Sequence, residues 1–313
     1  MPGIGTIHTI GSLVVASTVP TTQFKLDGVT TRNFSPGLQE LMAMPAGQAD
    51  VDYVATNTIE PIITLTGTDI AVILASIGLS GVAIGTTPND TADAYFTKMQ
   101  EGGVRASGSV NSRLRVSKGL LVVNSVTWSH PGAVTAEVQL HATYDGTNAV
   151  VIYTATLALP HVPVVEEMFS GGPVFINGTE LDGIQGITFD LGLSVVKRYA
   201  SGNWRPFFAG ISERKPRITI TTKEVPFLST VGIEGLAQSA TPSEIYFRKM
   251  TKHGTRVANA TTQHIKITIP ASAGEIWAGE FGGGNNEDAA GAVIIQPTDL
   301  VTISTASAIP GSS

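Results

Sequence analysis

There is no cysteine anywhere in the chain. Disulfides, thiolate metal sites and a cysteine nucleophile are therefore excluded together. Charge is scarce: 14% of residues are Asp, Glu, Lys or Arg, against about a quarter in an average globular chain. A Thr/Ser-rich β surface accounts for that low charge, and so does surface buried against other subunits. The balance is acidic, with a formal net charge of −6, so the basic stripe that grips nucleic-acid phosphates is not expected. Aromatics make up 6% and only three residues are Trp, which argues against a sugar-stacking cleft. Tyr199, Trp204, Phe207 and Phe208 form the one local aromatic cluster. No apolar run approaches a membrane span. The patch Leu13-Val14-Val15-Ala16 lacks the positive flank of a secretion signal. The product is expected in the cytosol, or inside a larger particle that leaves the cell.

Catalytic patterns are missing as well. None of the six histidines has the paired spacing of a zinc helix. No phosphate loop, dinucleotide fingerprint or GxSxG elbow occurs. The run Gly282 to Asp288 lacks the alternating carboxylates of a calcium loop and reads as a solvent loop. No catalytic, cofactor-binding or metal-binding residue is expected, and no enzyme activity.

What is present is a repeat. Leu26-Asp27-Gly28-Val29 returns as Leu181-Asp182-Gly183-Ile184, and Phe34, Gly37 and Leu38 return as Phe189, Gly192 and Leu193. Pro61 to Thr66 returns as Pro216 to Thr221, all at a spacing of 155. Tyr95-Phe96-Thr97-Lys98-Met99 returns as Tyr246-Phe247-Arg248-Lys249-Met250, with Arg105 returning as Arg256, at a spacing of 151. These matches divide the chain into an N-terminal arm (1–25), a first domain (26–160), a linker (161–180) and a second domain (181–313).

Composition and periodicity point to strands. Glycine, Thr, Ser and Val are abundant, which suits sheets and turns. Ile63 and Leu65 alternate with Thr64 and Thr66, and the same pattern recurs over 218–221, as in half-buried strands. Val134 to Thr143 alternates over ten positions, with Glu137 on its polar face. Last strands are expected at 149–157 and 299–307. A short helix is expected from Asp69 and from Glu224, whose carboxylates would complement the helix dipole. The Tyr-Phe-x-Lys-Met elements are read as one or two helical turns. The fold class is mainly β: two tandem homologous antiparallel β-sandwich or barrel domains, each flanked by a short α-helix.

The segments 39–52 and 194–207 have equal length and unlike chemistry. They read as long hairpins or loops with a different contact role in each copy. The repeated charges Lys98, Arg105, Lys249 and Arg256 are candidates for intersubunit contacts or for ion pairs within each domain.

Tandem β-sandwich-plus-helix units, Thr-rich strands, an acidic balance and a free N-terminal arm resemble the major tail tube protein of long-tailed, non-contractile bacteriophages, in a form with a duplicated tube domain. The resemblance implies a structural virion protein, assembled in the host cytoplasm and located in the virion tail. Three chains would form a pseudo-hexameric ring, and rings would stack into a conduit for DNA ejection. Partners would be further copies of the chain and other tail proteins at the tube ends. Double-stranded DNA would pass without specific binding, and no membrane is involved. Ring stacking falls to Met42, Met44, Gln48, Asp50, Arg198, Tyr199, Asn203, Trp204 and Arg205, and Glu137 is the candidate for facing the lumen. Two other readings remain: another ring-forming particle protein, such as a tail terminator or head decoration, or a soluble ligand-binding β-sandwich protein.

Overall fold

The computed structural model describes residues 7–18, 21–44, 46, 50–85, 90–100, 103–165, 167–226, 231, 235–237, 240–283, 289–299 and 301–311. Among them, the first half carries twelve strands and one helix. The strands are β1 (Ile7–Thr18), β2 (Thr21–Leu26), β3 (Val29–Ser35), β4 (Leu38–Ala43), β5 (Tyr53–Ile59), β6 (Ile62–Gly67), β7 (Val82–Ile84), β8 (Thr91–Met99), β9 (Asn111–Val116), β10 (Gly119–Ser129), β11 (Thr135–Ala142) and β12 (Ile152–Leu157), with helix α1 (Ile70–Ser76) after β6. The second half carries β13 (Met168–Ile176), β14 (Thr179–Leu181), β15 (Ile184–Asp190), β16 (Leu193–Tyr199), β17 (Pro206–Arg214), β18 (Arg217–Thr222), β19 (Leu236–Ala237), β20 (Ser243–Met250), β21 (His264–Ile269), β22 (Gly274–Gly282), β23 (Ala290–Pro297) and β24 (Thr302–Ser307).

Strand pairing in the two halves is the same, element for element. An outer sheet runs β12-β9-β8-β1-β2 in the first half and β24-β21-β20-β13-β14 in the second. The other sheet of each half runs β10-β11-β6-β3 and β22-β23-β18-β15, with β7 and β19 on the outer side of β10 and β22. Hairpins β4-β5 and β16-β17 project from these sheets as separate two-stranded ribbons. Each half is thus two antiparallel sheets enclosing a core. Alternation specifies the inward face: Val134, Ala136, Val138, Leu140 and Ala142 are all fully buried, as are Ile63, Leu65, Ile218 and Ile220.

Several sequence expectations shift. Residues 7–18 and 21–26 are not a loose arm. They form β1 and β2, with Leu13 and Val15 at the centre of the core and β1 paired to β8. The expected linker likewise contains β13 and β14, the counterparts of β1 and β2. Asn177 and Gly178 both have positive φ there, the geometry of a two-residue hairpin turn. The Tyr-Phe-x-Lys-Met elements are strands, not helical turns. Pairing on both sides, with β1 and β9 or with β13 and β21, outweighs a local pattern that is ambiguous between helix and strand.

The helix forms after β6 with Asp69 at its N-cap position, but the Asp69 side chain makes no capping bond: its carboxylate accepts the Gly28 amide at 2.6 Å. Glu224 likewise accepts the Asp182 amide at 2.7 Å. Both carboxylates fasten the repeated Leu-Asp-Gly turn. Of the second helix, expected from Glu224 to about Leu236, Val225, Pro226 and Val231 are helical, whereas Gly235 is not and Leu236 belongs to β19; residues 227–230 and 232–234 lie outside the described residues, as do Gly284 to Asp288.

Candidate self-assembly interface

The two halves are joined by a strand pair. β10 and β15 run antiparallel, with Ser125 opposite Asp190, Val126 opposite Phe189, Thr127 opposite Thr188, Trp128 opposite Ile187 and Ser129 opposite Gly186. Two backbone bonds prolong the ladder, from the His130 amide to the Gln185 carbonyl (2.8 Å) and from the Leu191 amide to the Asn124 carbonyl (3.0 Å). The sheets of both halves so become one ten-stranded sheet. Val126 and Phe189 are both 0% exposed in this seam; burying each side chain contributes roughly 1.5–3 kcal/mol. Trp128 lies flat against Gly171, where a Cβ would stand 2.2 Å from its ring, so only glycine fits.

The counterparts of this seam face outward. Strand β22 corresponds to β10: Gly274 pairs with Pro297 as Gly119 pairs with Ala142, and both strands bulge at the same place. Phe281 occupies the place of Val126, opposite Gly291 as Val126 is opposite Ala136. Strand β3 corresponds to β15, and Phe34 to Phe189. Yet Phe281 is 56% exposed and Phe34 38% exposed. Among the described residues β3 pairs only with β6, and the outer side of β22 beyond Ile276 has no partner strand. An edge of this kind, with its backbone groups and a large apolar side chain open, is a template for another strand.

A second contact crosses between the halves. Hairpin β16-β17 leaves the second half and lies on the base of the first. The Ile59 amide donates to the Trp204 carbonyl (3.1 Å) and the Tyr144 amide to the Pro206 carbonyl (2.6 Å). Arg205 stacks over Tyr144, 5.0 Å from the ring centre, and over Trp204 at 4.4 Å. Lys197 Nζ reaches Glu60 Oε2 at 3.1 Å, and the Tyr199 hydroxyl donates to Glu60 Oε1. Burial pushes the Glu60 carboxyl up, but the bonds from Tyr199 and Lys197 outweigh it and hold it below the usual carboxylate range. Burial, and then Glu60, push the Tyr199 hydroxyl up to about 12. Beneath the hairpin His141 is buried with no partner for either ring nitrogen. Burial, then the Lys197 charge, lower it to about 4, against the opposing pull of Glu60.

The stacking candidates therefore divide. Tyr199, Trp204 and Arg205 already make contacts within the chain; Arg198 lies 5.9 Å from the Phe208 ring, and Asn203 accepts the Arg205 amide at 3.0 Å. Met42, Met44 and Asp50, on hairpin β4-β5, are exposed. Gln48 lies outside the described residues.

Of the repeated charges, Lys249 pairs with Glu167 at 2.6 Å. Arg105 and Arg256 are exposed, in bridges to Met99 and Met250 that match between the halves. Lys98 and Lys249 also match through their backbone, whose amides donate to the buried side chains of Asn111 (2.9 Å) and His264 (3.1 Å). Glu137 accepts from Asn124 (2.9 Å) and Gln139 (3.0 Å) on the face of the ten-stranded sheet opposite the core. Sequence reasoning missed the β10-β15 seam; the repeat of Phe34 as Phe189 was its one visible trace.

No group of three or more metal-ligating side chains occurs among the described residues. No described helix is long and apolar enough to cross a membrane. Comparison with known protein families and with curated proteins finds no match.

Proposed function

We propose that this chain is a structural protein that assembles head to tail into closed rings, and that the rings stack as the tail tube of a long-tailed bacteriophage. One observation carries the reading: the β10-β15 seam is a finished interface inside the chain, and β22 and β3 are its two halves left open at opposite ends. Joining β22 of one copy to β3 of the next sets Phe281 opposite Phe34 and Glu280 opposite Ser35, in the register of the seam. Such a contact is heterologous, so it closes into a ring when the rotation allows and otherwise forms a filament. With two equivalent halves per chain, three chains supply six.

The sheet face opposite the core supports a conduit. It carries Thr64, Thr66, Thr127, Thr135, Thr188 and Thr219, none of them buried, with Glu137, Asp190, Glu275 and Glu280 against Arg217. A hydroxyl-rich wall with an acidic excess repels phosphates and offers passing DNA few points of attachment.

Mass measurement and negative-stain microscopy of the purified protein test the reading. Three-chain rings or tubes are expected. Rings that never stack favour a terminator or decoration role, and a chain that stays monomeric at high concentration rules assembly out.

A further inference from the structure

At its end the β10-β15 seam also touches β13, and this contact has an uncovered counterpart. The Val134 amide donates to the Phe169 carbonyl at 2.8 Å, and Trp128 lies on Gly171. Val134 and Phe169 are buried, and Trp128 is 6% exposed. Strand β1 is the counterpart of β13. Ile10 stands opposite Phe96 as Gly171 stands opposite Phe247, and both strands bulge at the next step. His8 and Ile10 therefore hold the places of Phe169 and Gly171, and both are exposed. Before Leu13, β1 pairs only with β8 among the described residues. At the far end of the chain, Gly283 and Ala289 hold the places of Trp128 and Val134, 155 residues on, and both are exposed.

We propose that His8 and Ile10 on β1 receive Gly283 and Ala289 of a second copy of the chain. The proposal rests on the self-assembly reading and extends its contact from β3 to β1. In the register of the seam, the Ala289 amide donates to the His8 carbonyl, and the Ile10 side chain lies over the backbone of Gly283. Sizes are exchanged between the two contacts. Inside the chain the large residue, Trp128, comes from β10 and the glycine from β13. Between chains the glycine comes from the end of β22 and the large residue, Ile10, from β1. Gly283 stays bare within its own chain, since a Cβ would stand 3.0 Å from the Ala289 Cα. Arg32 completes the receiving surface. It holds the place of Ile187, which faces Trp128 in the seam. Its guanidinium donates to the Tyr95 and Gly11 carbonyls at 2.7 Å each, tying β3 to β8 and β1. The exchange of sizes also sorts the contacts. Trp128 on Ile10 would collide, and Gly283 on Gly171 would leave a void where the indole lies, so each contact disfavours the other's partner.

The chain has no native cysteine, so a thiol pair reports without background. His8→Cys and Ala289→Cys are combined in one chain. Its assemblies are treated with a short thiol-to-thiol crosslinker and run under denaturing conditions. The expected result is a ladder of covalently joined chains; mixed single variants give joined pairs only, and each single variant alone gives none. Assemblies visible by microscopy whose chains stay single overturn the contact and leave the assembly reading standing. Ile10→Ala should keep the parent's circular dichroism and need a roughly tenfold higher concentration to assemble. Assembly of that variant at the parent's concentration overturns the contact as well. A parent chain that never assembles overturns the contact and the assembly reading together.

Discussion

At the scale of single residues, Gly171 and Trp128 meet closely between the halves. Gly171 leaves room for the Trp128 indole, whose Nε1 donates to the Gly132 carbonyl at 2.8 Å. Gly171→Ala places a methyl inside the ring, and overpacking of this kind costs about 1–3 kcal/mol. Urea unfolding is expected to show a lower midpoint with unchanged slope; a midpoint equal to that of the parent would refute the close contact.

His141 gives a pH dependence with a definite sign. Its folded value is about 4 against 6.5 for the free side chain, so between these values the unfolded chain takes up a proton that the folded chain refuses. Stability therefore falls as pH drops from about 6.5 to about 4, by roughly 2–4 kcal/mol in total. Glu60 acts lower: held below its ordinary range, it contributes stability above that range and loses it as pH falls through its folded value. Denaturation curves of His141→Leu should be flatter than the parent's across that upper window; parallel curves would show that the imidazole is solvated.

At the scale of elements, the informative strands are the ones at the ends of the sheet. Ten strands share one ladder, and β3 and β22 carry the apolar residues that their counterparts bury. Phe281→Arg puts a charge where the counterpart Val126 is fully buried, and burying an unpaired charge is strongly unfavourable. The variant is expected to fold with stability within about 0.5 kcal/mol of the parent, as for an exposed position, and to remain monomeric by light scattering. Normal rings from this variant would remove the β22 edge from the interface. The Tyr-Phe-x-Lys-Met strands show why an element can be misread alone. Their apolar residues occur in consecutive pairs, and burial on both faces comes from neighbours that are distant in sequence.

At the scale of the whole molecule, the polarity of assembly is testable without knowing the ring size. Phe34→Arg blocks one end and Phe281→Arg the other. A head-to-tail interface lets the intact β22 of the first variant join the intact β3 of the second, after which no productive edge remains. An equimolar mixture should give dimers and stop, and each variant alone should stay monomeric. Dimers of either variant alone would indicate a two-fold interface.

Much of the mainly β class was legible in the sequence because it is written in local chemistry. Alternation placed Val134 to Ala142 and the Ile/Thr strands. The spacing of 155 identified residues that occupy matching places, and Asn177-Gly178 marked its turn. The lack of cysteine limited the chemistry from composition alone. Tertiary structure alone decided that β1 and β2 join the outer sheet and bring Leu13, Val15 and Leu26 into the core, that Asp69 and Glu224 fasten turns, and that β15 pairs with β10. Each of these depends on which distant strand offers backbone groups and an apolar face, and strand partners leave no periodic mark. Phe34 and Phe189 are identical letters in equivalent strands of the chain. Only the fold shows that one is covered and the other is exposed.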